Sequence, residues 1–257
     1  MIASLGMYDF GPARAANDRL WALVRDGLIT RGIDAPETLT RGEAAYWPAW
    51  QSPDLVLSQT CGFPYRARLH GQVTLVGTPD HGLRGCPPGH YRSVILARKD
   101  DPRSGFAEFA GAPMAFNEDM SQSGWAAPTN HAAELGIALA PALRTGGHRL
   151  SAQAVAEGRA DFAALDAVTW AMMQEDGDAS AGALKVVGET PPTPALPYVA
   201  AAGADGPAIF AALDGAIAAL SDDDRAILHL RGLVALPAEA YLAIRNPPPP
   251  AQFGSMS

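Results

Sequence analysis

The chain is predicted to be an α/β protein with parallel sheets, on three observations. Short apolar runs bounded by turn residues alternate with stretches of helical periodicity over most of the length. Apolar residues make up 48% and charged residues 18%, a globular composition. At 257 residues the chain has room for one large domain or for two lobes, each with its own core.

Ile2–Met7 reads as the first strand, and Ala16–Arg31 as an amphipathic helix with Leu20, Leu23, Val24 and Leu28 on one face and Gly32 as its stop. Asp54–Ser58 and Val73–Val76 are compact apolar runs of the kind that buried parallel strands show. Tyr91–Arg98 is a longer strand, and Ala112–Phe116 and Phe162–Leu165 are shorter ones. Helical patterns run from Trp125 to Leu135, over Leu150–Glu157 with Gly158 as stop, and over Ala167–Met173. Val186–Val187 and Tyr198–Ala201 are late strands, and the chain from Pro207 on is mainly helical. The tail from Asn246, with Pro247–Pro250, is too rich in proline for regular structure and is expected to be loose.

Two turn-rich stretches read as linkers, Lys99–Gly105 and Thr190–Pro197, the second with four prolines in eight residues. If they run side by side they form a hinge, and the segment between them is a second lobe inserted into the first. Lobe 1 is then 1–99 with 195–257, and lobe 2 is 100–194. The alternative is two unrelated surface loops.

Charge excludes several classes. The net charge is −8, and of 19 basic residues only Lys99 and Lys185 are lysines, so the basic stripe of a nucleic-acid binder is missing. No run approaches the roughly 20 apolar residues of a membrane span, so direct membrane insertion is not expected. The first residues carry no basic and apolar leader pattern, which favours a cytoplasmic protein or a mature form whose signal is gone. Cys61 and Cys86 each follow a strand and could be near neighbours; two thiols are favoured over a bridge. His70, His81, His90 and His131 lack metal-ligand spacing, and neither a Walker-type loop nor G-x-G-x-x-G is present. No metal or cofactor is expected.

The most informative stretch is Met114–Trp125. An apolar run ends in Glu118 and Asp119, followed by Ser121-Gln122-Ser123-Gly124 and a helical pattern. A helix N-terminus offers amides with no intrahelical acceptor and a positive dipole end, a ready anion site. Ser123 could equally be a plain N-cap. The doubled serine and the glycine, which lets a ligand approach the backbone, favour binding. Pro128 confines the helix start to this neighbourhood.

In order along the chain, Leu55-Val-Leu-Ser-Gln-Thr-Cys-Gly62, Val73-Thr-Leu-Val-Gly77, Tyr91–Arg98, Phe106 with Gly111, Ser121–Gly124, Thr145-Gly-Gly-His148, Val155–Asp161 with Ala163-Ala-Leu-Asp166, and Pro192–Pro197 resemble the phosphate/phosphite/phosphonate substrate-binding proteins of ABC importers. The resemblance spans roughly residues 2–200. It implies a type II periplasmic-binding-protein fold, two α/β lobes on a two-stranded hinge that close over a small phosphorus oxyanion. It places Ser121, Gln122, Ser123 and Gly124 on the phosphoryl oxygens, with Tyr91, His148 and Asp166 as further ligand contacts. First-lobe contacts are expected from Tyr8, Tyr46, Gln59 and Thr60. An ABC-transporter permease is the implied partner, and a monomer the expected state. The first residues show no secretion-signal pattern of the kind the family usually carries, and Ser58-Gln-Thr-Cys61 stands where a Gly-Pro turn is common.

Each assignment has a plainer counterpart. Asp166 could simply cap the helix that begins at Ala167. As a ligand group it needs a donor from the ligand, which favours monoprotonated oxyanions or aminophosphonates. Tyr46, Trp47 and Trp50 are cleft wall or core, with Trp50 assigned to the core. A cytosolic enzyme or ligand sensor on the same two-lobed fold is the rival function, weakened by the lack of an acid–base or nucleophile pair.

Overall fold

The computed structural model describes residues 1–250. Its strands are β1 Ile2–Ser4, β2 Leu55–Gln59, β3 Val73–Asp80, β4 His90–Tyr91, β5 Ser93–Arg98, β6 Pro113–Phe116, β7 Ala140–Arg144, β8 Phe162–Asp166, β9 Leu184–Glu189, β10 Thr193–Pro194, β11 Tyr198–Ala201 and β12 Gly232–Val234. They form two five-stranded sheets, β1-β2-β11-β3-β12 and β7-β6-β8-β5-β9, and a two-stranded ribbon of β10 and β4.

The chain divides into two compact units, Met1–His90 with Pro194–Ala243, and Tyr91–Thr193 with 244–250 of the described residues. The crossings therefore fall at β4 and β10, not at Lys99–Gly105. Lys99–Gly105 lies inside the second unit. There the Lys99 N–H donates to Ala183 O (2.9 Å), and the buried Asp101 carboxylate is held by Arg103 (2.6 Å). The loop is polar because it carries this ion pair, not because it links units. The tail is corrected in part: 246–250 form no helix or strand, as expected, and 251–257 lie outside the described residues, but the segment is not loose. Asn130 Nδ2 donates to Arg245 O (2.9 Å) and Trp125 Nε1 to Pro248 O (3.0 Å), so 245–248 is seated on the second unit. Proline-rich chain lacks its own ladder but still offers carbonyls.

Both sheets are mixed, where wholly parallel ones were expected. β1 and β2 pair in parallel, but β11 runs antiparallel to both β2 and β3, and β12 antiparallel to β3. In the second sheet β6 pairs in parallel with β7 and β8, while β5 is antiparallel to β8 and β9. Of the three reversed strands, β5 and β11 each follow a crossing with no helix to turn the chain back first, while β12 follows the helix Asp222–Ile227 within the first unit.

The first unit packs the helix Ala13–Thr30 on the helix Gly206–Ala219. Gly27 permits the close approach, since a Cβ there would stand 3.3 Å from the Ala212 Cβ. A second cluster joins Trp50, Leu55, Tyr65, Leu69, Val199 and Tyr241. The Tyr241 hydroxyl is satisfied there by Thr78 Oγ1 (2.6 Å) and Ala195 O (2.9 Å). The second unit is centred on Leu96, Ala115, Val155, Ala163 and Leu165, all fully buried, with the helix His148–Ala156 against the sheet. Small residues on β8 let that helix lie close. The first strand is shorter than expected, because a 3-10 turn, Gly6–Tyr8, follows Ser4.

Candidate functional site

In the second unit β6 ends at Phe116, and the chain enters the turn Gln122–Ala126, which leads into the helix Ala127–Leu135. Ser121, not Ser123, is the cap: its Oγ accepts the Gly124 N–H at 2.9 Å. That leaves the Ser121 hydroxyl hydrogen for another acceptor. It also removes the Gly124 amide from the set of donors expected to meet an anion. The Ser123 amide, one residue earlier, has no acceptor within its own turn by position.

The Ser123 side chain meets His148, Oγ to Nε2 at 2.8 Å. Its carbonyl accepts from Ser93 Oγ (2.9 Å), and Ser93 is locked to Thr190 by N–H to Oγ1 (3.0 Å) and by Thr190 N–H to Ser93 O (2.9 Å). Gln122 Nε2 reaches Thr193 Oγ1 (3.4 Å). Ser93, Thr190 and Thr193 were not picked out from the sequence, since a serine at the start of a strand carries no motif. The turn is backed by Asn117: a Cβ on Gly124 would lie 1.8 Å from Asn117 Oδ1, so only glycine fits. The two acids ahead of the turn are paired with Arg144, Glu118 closely and Asp119 at 3.5 Å.

Burial lowers the His148 imidazole to about 4, although the nearby Ala164 carbonyl favours the protonated ring. At neutral pH the Ser123–His148 pair is therefore uncharged. Nδ1 makes no formed hydrogen bond among the described residues. Asp166 ends β8 and accepts from Val168 N–H (2.7 Å) and Thr169 N–H (3.1 Å) through Oδ1, the capping arrangement of the plainer reading. Tyr91 is buried at the start of this unit. The structure thus joins Ser121, Gln122, Ser123, Gly124 and His148 in one cluster.

In the first unit Tyr8 and Gln59 come together at a small pocket also lined by Leu5, Asn17, His81 and Tyr198. Gln59 Nε2 donates to Leu196 O (3.3 Å), and the Tyr8 ring stands edge-on to His81 at 5.6 Å. Thr60 is fully buried and turned to backbone, its N–H on Pro197 O (3.0 Å). Tyr46 lines a separate pocket of about 280 Å³ with Asp9, Arg14 and Arg41, and its hydroxyl donates to Gly6 O (3.0 Å). In that pocket Arg41 is already neutralised by Asp9 (2.8 Å) and Asp18 (2.8 Å). Cys61 is buried and Cys86 half-buried, and they carry thiols, not a disulfide.

Solved structures of known proteins share this fold. A phosphonate-binding protein of Prochlorococcus marinus, PhnD1, in complex with methylphosphonate aligns with a TM-score of 0.72 at 16% identity, over 95% of each chain. A binding-protein component of an ABC phosphonate transporter from Pseudomonas aeruginosa aligns with a TM-score of 0.72 at 16% identity, over 95% of this chain and 83% of that one. A Xanthomonas citri protein bound to chloride aligns at 0.67 and 15%, over 95% and 98%. No curated protein matches the chain by sequence. The family model of the phosphonate periplasmic substrate-binding proteins of ABC transporters matches residues 54–237, a span that holds the serine turn, Ser93, His148 and Asp166. The chain belongs to that family of ABC-transporter phosphonate-binding proteins.

Proposed function

We propose that the chain binds a small phosphorus oxyanion, phosphonate, phosphite or phosphate, by closure of its two units over the solute and without chemical change. Membership of the family implies a small solute and a transporter permease as partners. The observation that carries the reading is the state of the serine turn. Ser121 uses a lone pair on Gly124 N–H and keeps its hydrogen, and Ser123 sits on a neutral histidine.

An oxyanion needs donors. With the proton on Nε2, His148 donates to Ser123 Oγ and Ser123 in turn donates to the solute. The opposite tautomer points a serine lone pair at the anion and opposes binding. The fixed hydroxyls and the Ser123 amide then replace water around the anion at little reorganisation cost. Tyr91, Gln122 and Asp166 complete the second unit's share, and Tyr8, Tyr46, Gln59 and Thr60 the first unit's. Binding without chemistry is the reading that membership of a family of solute-binding proteins supports.

Isothermal titration with phosphate, phosphite, methylphosphonate and 2-aminoethylphosphonate tests this. Each hydrogen bond to a charged group contributes about 1.5–3 kcal/mol, so Ser121→Ala with Ser123→Ala weakens binding at least about tenfold. A folded double variant that binds as tightly as the wild type removes the turn from the site.

A further inference from the structure

Ser93 opens β5 in the second unit, two residues after the unit begins at Tyr91, and is 1% exposed. On one side it stands opposite Asp166 of β8. On the other side β5 pairs Val94 with Glu189 of β9, and Ser93 and Thr190 carry that ladder one pair further. Two residues bonded across an antiparallel ladder ordinarily exchange two backbone bonds. Here Thr190 N–H donates to Ser93 O (2.9 Å), but the Ser93 N–H donates to the Thr190 side chain, Oγ1 (3.0 Å). The threonine hydroxyl thus fixes the end of the strand on which Ser93 sits.

The Ser93 hydroxyl donates to Ser123 O (2.9 Å). That carbonyl shares its peptide unit with the Gly124 N–H, which donates to Ser121 Oγ (2.9 Å). A trans peptide is planar, with its C=O and N–H on opposite edges, so a bond at each edge fixes the orientation of the plane. Rotating the plane would break both bonds together and release the Ser121 hydroxyl from its direction. A serine hydroxyl has one hydrogen, and Ser93 gives it to the carbonyl. It has none left for a solute oxygen and can act on the solute only through the turn. Gln122 Nε2 makes a second tie, to Oγ1 of Thr193 at the start of β10 (3.4 Å).

Resting on the proposed function above, we propose that Ser93 is a positioning residue for the oxyanion. It holds the Ser123–Gly124 peptide, and with it the Ser121 hydroxyl, in the orientation that meets the solute, and Thr190 holds Ser93. Donors aimed at a charge before it arrives need no reorganisation when it does. A turn left free would have to be ordered by the solute, which lowers the affinity. Ser93 removes that loss because it belongs to the sheet, the most rigid part of the unit.

The test compares the wild type with Ser93→Ala in two measurements: titration with methylphosphonate, phosphite and phosphate, and hydrogen exchange of the Gly124 amide in the unliganded proteins. The expected affinity is about three- to tenfold lower, the equivalent of one neutral hydrogen bond. Gly124 should exchange faster by a similar factor while the amides of the β5–β8 ladder keep their rates. A purely structural hydroxyl gives the opposite pattern, with protection lost along the ladder and the affinity of the folded variant unchanged. That result overturns the positioning role and leaves the serine turn standing as the site. A wild type that binds none of the three solutes overturns the positioning role and the proposed function together. Because Ser93→Ala could fold poorly, Thr190→Val gives a second variant, which removes the oxygen on the Ser93 amide and leaves the Ser93 hydroxyl in place. It should also speed Gly124 exchange and weaken binding, and a folded Thr190→Val unchanged in both defeats the proposal. So does a Gly124 amide that already exchanges like an open one in the unliganded wild type, since its plane is then not held before the solute arrives.

Discussion

Ser121 and Ser123 look alike in the sequence but do different work, and single substitutions separate them. Ser121→Ala removes the acceptor for Gly124 N–H, so it costs about 1 kcal/mol of stability as well as affinity. Ser123→Ala leaves that cap in place and strands His148 Nε2, so the affinity falls with a smaller change in melting temperature. Thermal melts beside titrations read the difference, and equal melting temperatures for the two variants would contradict the assignment of the cap. Gly124→Ala is the harsher change. Its Cβ would meet Asn117 Oδ1 at 1.8 Å, so the turn or Asn117 must shift, at about 1–3 kcal/mol and with loss of binding. Asn117→Ala in the same chain relieves the clash and restores stability if this contact is the cause. At this scale the serines and the glycine at a helix start were legible because a hydroxyl pair before a helix has a physical use, whereas His148 came only from the family resemblance. Ser93 and Asn117 were not. Their roles come from what lies across the sheet or loop from them, and no spacing along the chain encodes that.

Helices and strands were legible where a period or a stop residue exists. The helix at Ala127–Leu135 ends at Gly136 with φ 69, and Pro128 falls in its first turn, as the chemistry of those residues requires. β7 was missed because Ala140–Arg144 pairs only with β6 at the sheet edge and lacks an apolar face of its own. β5 and β11 were read as strands, but their antiparallel direction was missed because it is set by where the chain enters a sheet, which apolar runs do not record. Asp166 belongs to this scale. Its Oδ1 holds two amides at the start of the helix Ala167–Glu175, so Asp166→Ala costs about 1–2 kcal/mol whatever its part in binding. Asp166→Asn keeps an oxygen for the cap. Titrating that variant isolates the ligand role: unchanged affinity for 2-aminoethylphosphonate would leave the residue a cap alone.

For the whole molecule, acidity is the revealing variable, because each unit buries one neutral histidine. Burial lowers His81 to about 4 against the pull of the His229 carbonyl and Asp80, and lowers His148 to about 4 against Ala164. Both rings titrate near 6.5 once unfolded. Below that value the unfolded chain binds more protons than the folded one, so stability falls as pH drops and the loss is complete near the folded value. A tenfold change in proton affinity corresponds to about 1.4 kcal/mol, so each histidine accounts for at most about 3 kcal/mol across this window. The carboxylates act in a lower window. Asp101, held near 2 chiefly by the Arg103 side chain, contributes stability that is lost only as pH falls from about 3.8 toward 2. Urea melts between about pH 7 and pH 4 should therefore show a steep loss before the carboxylates titrate. His81→Phe and His148→Phe should each flatten part of it. A profile level down to about pH 4.5 would mean that the folded chain protonates its imidazoles freely, contrary to their burial. Ligand adds a sign of its own. An oxyanion on Ser123 favours a proton on His148, so saturating methylphosphonate should raise that ring's pKa and make the acid loss shallower. Should saturating solute leave the acid limb unmoved, the anion does not sit within reach of the Ser123–His148 pair.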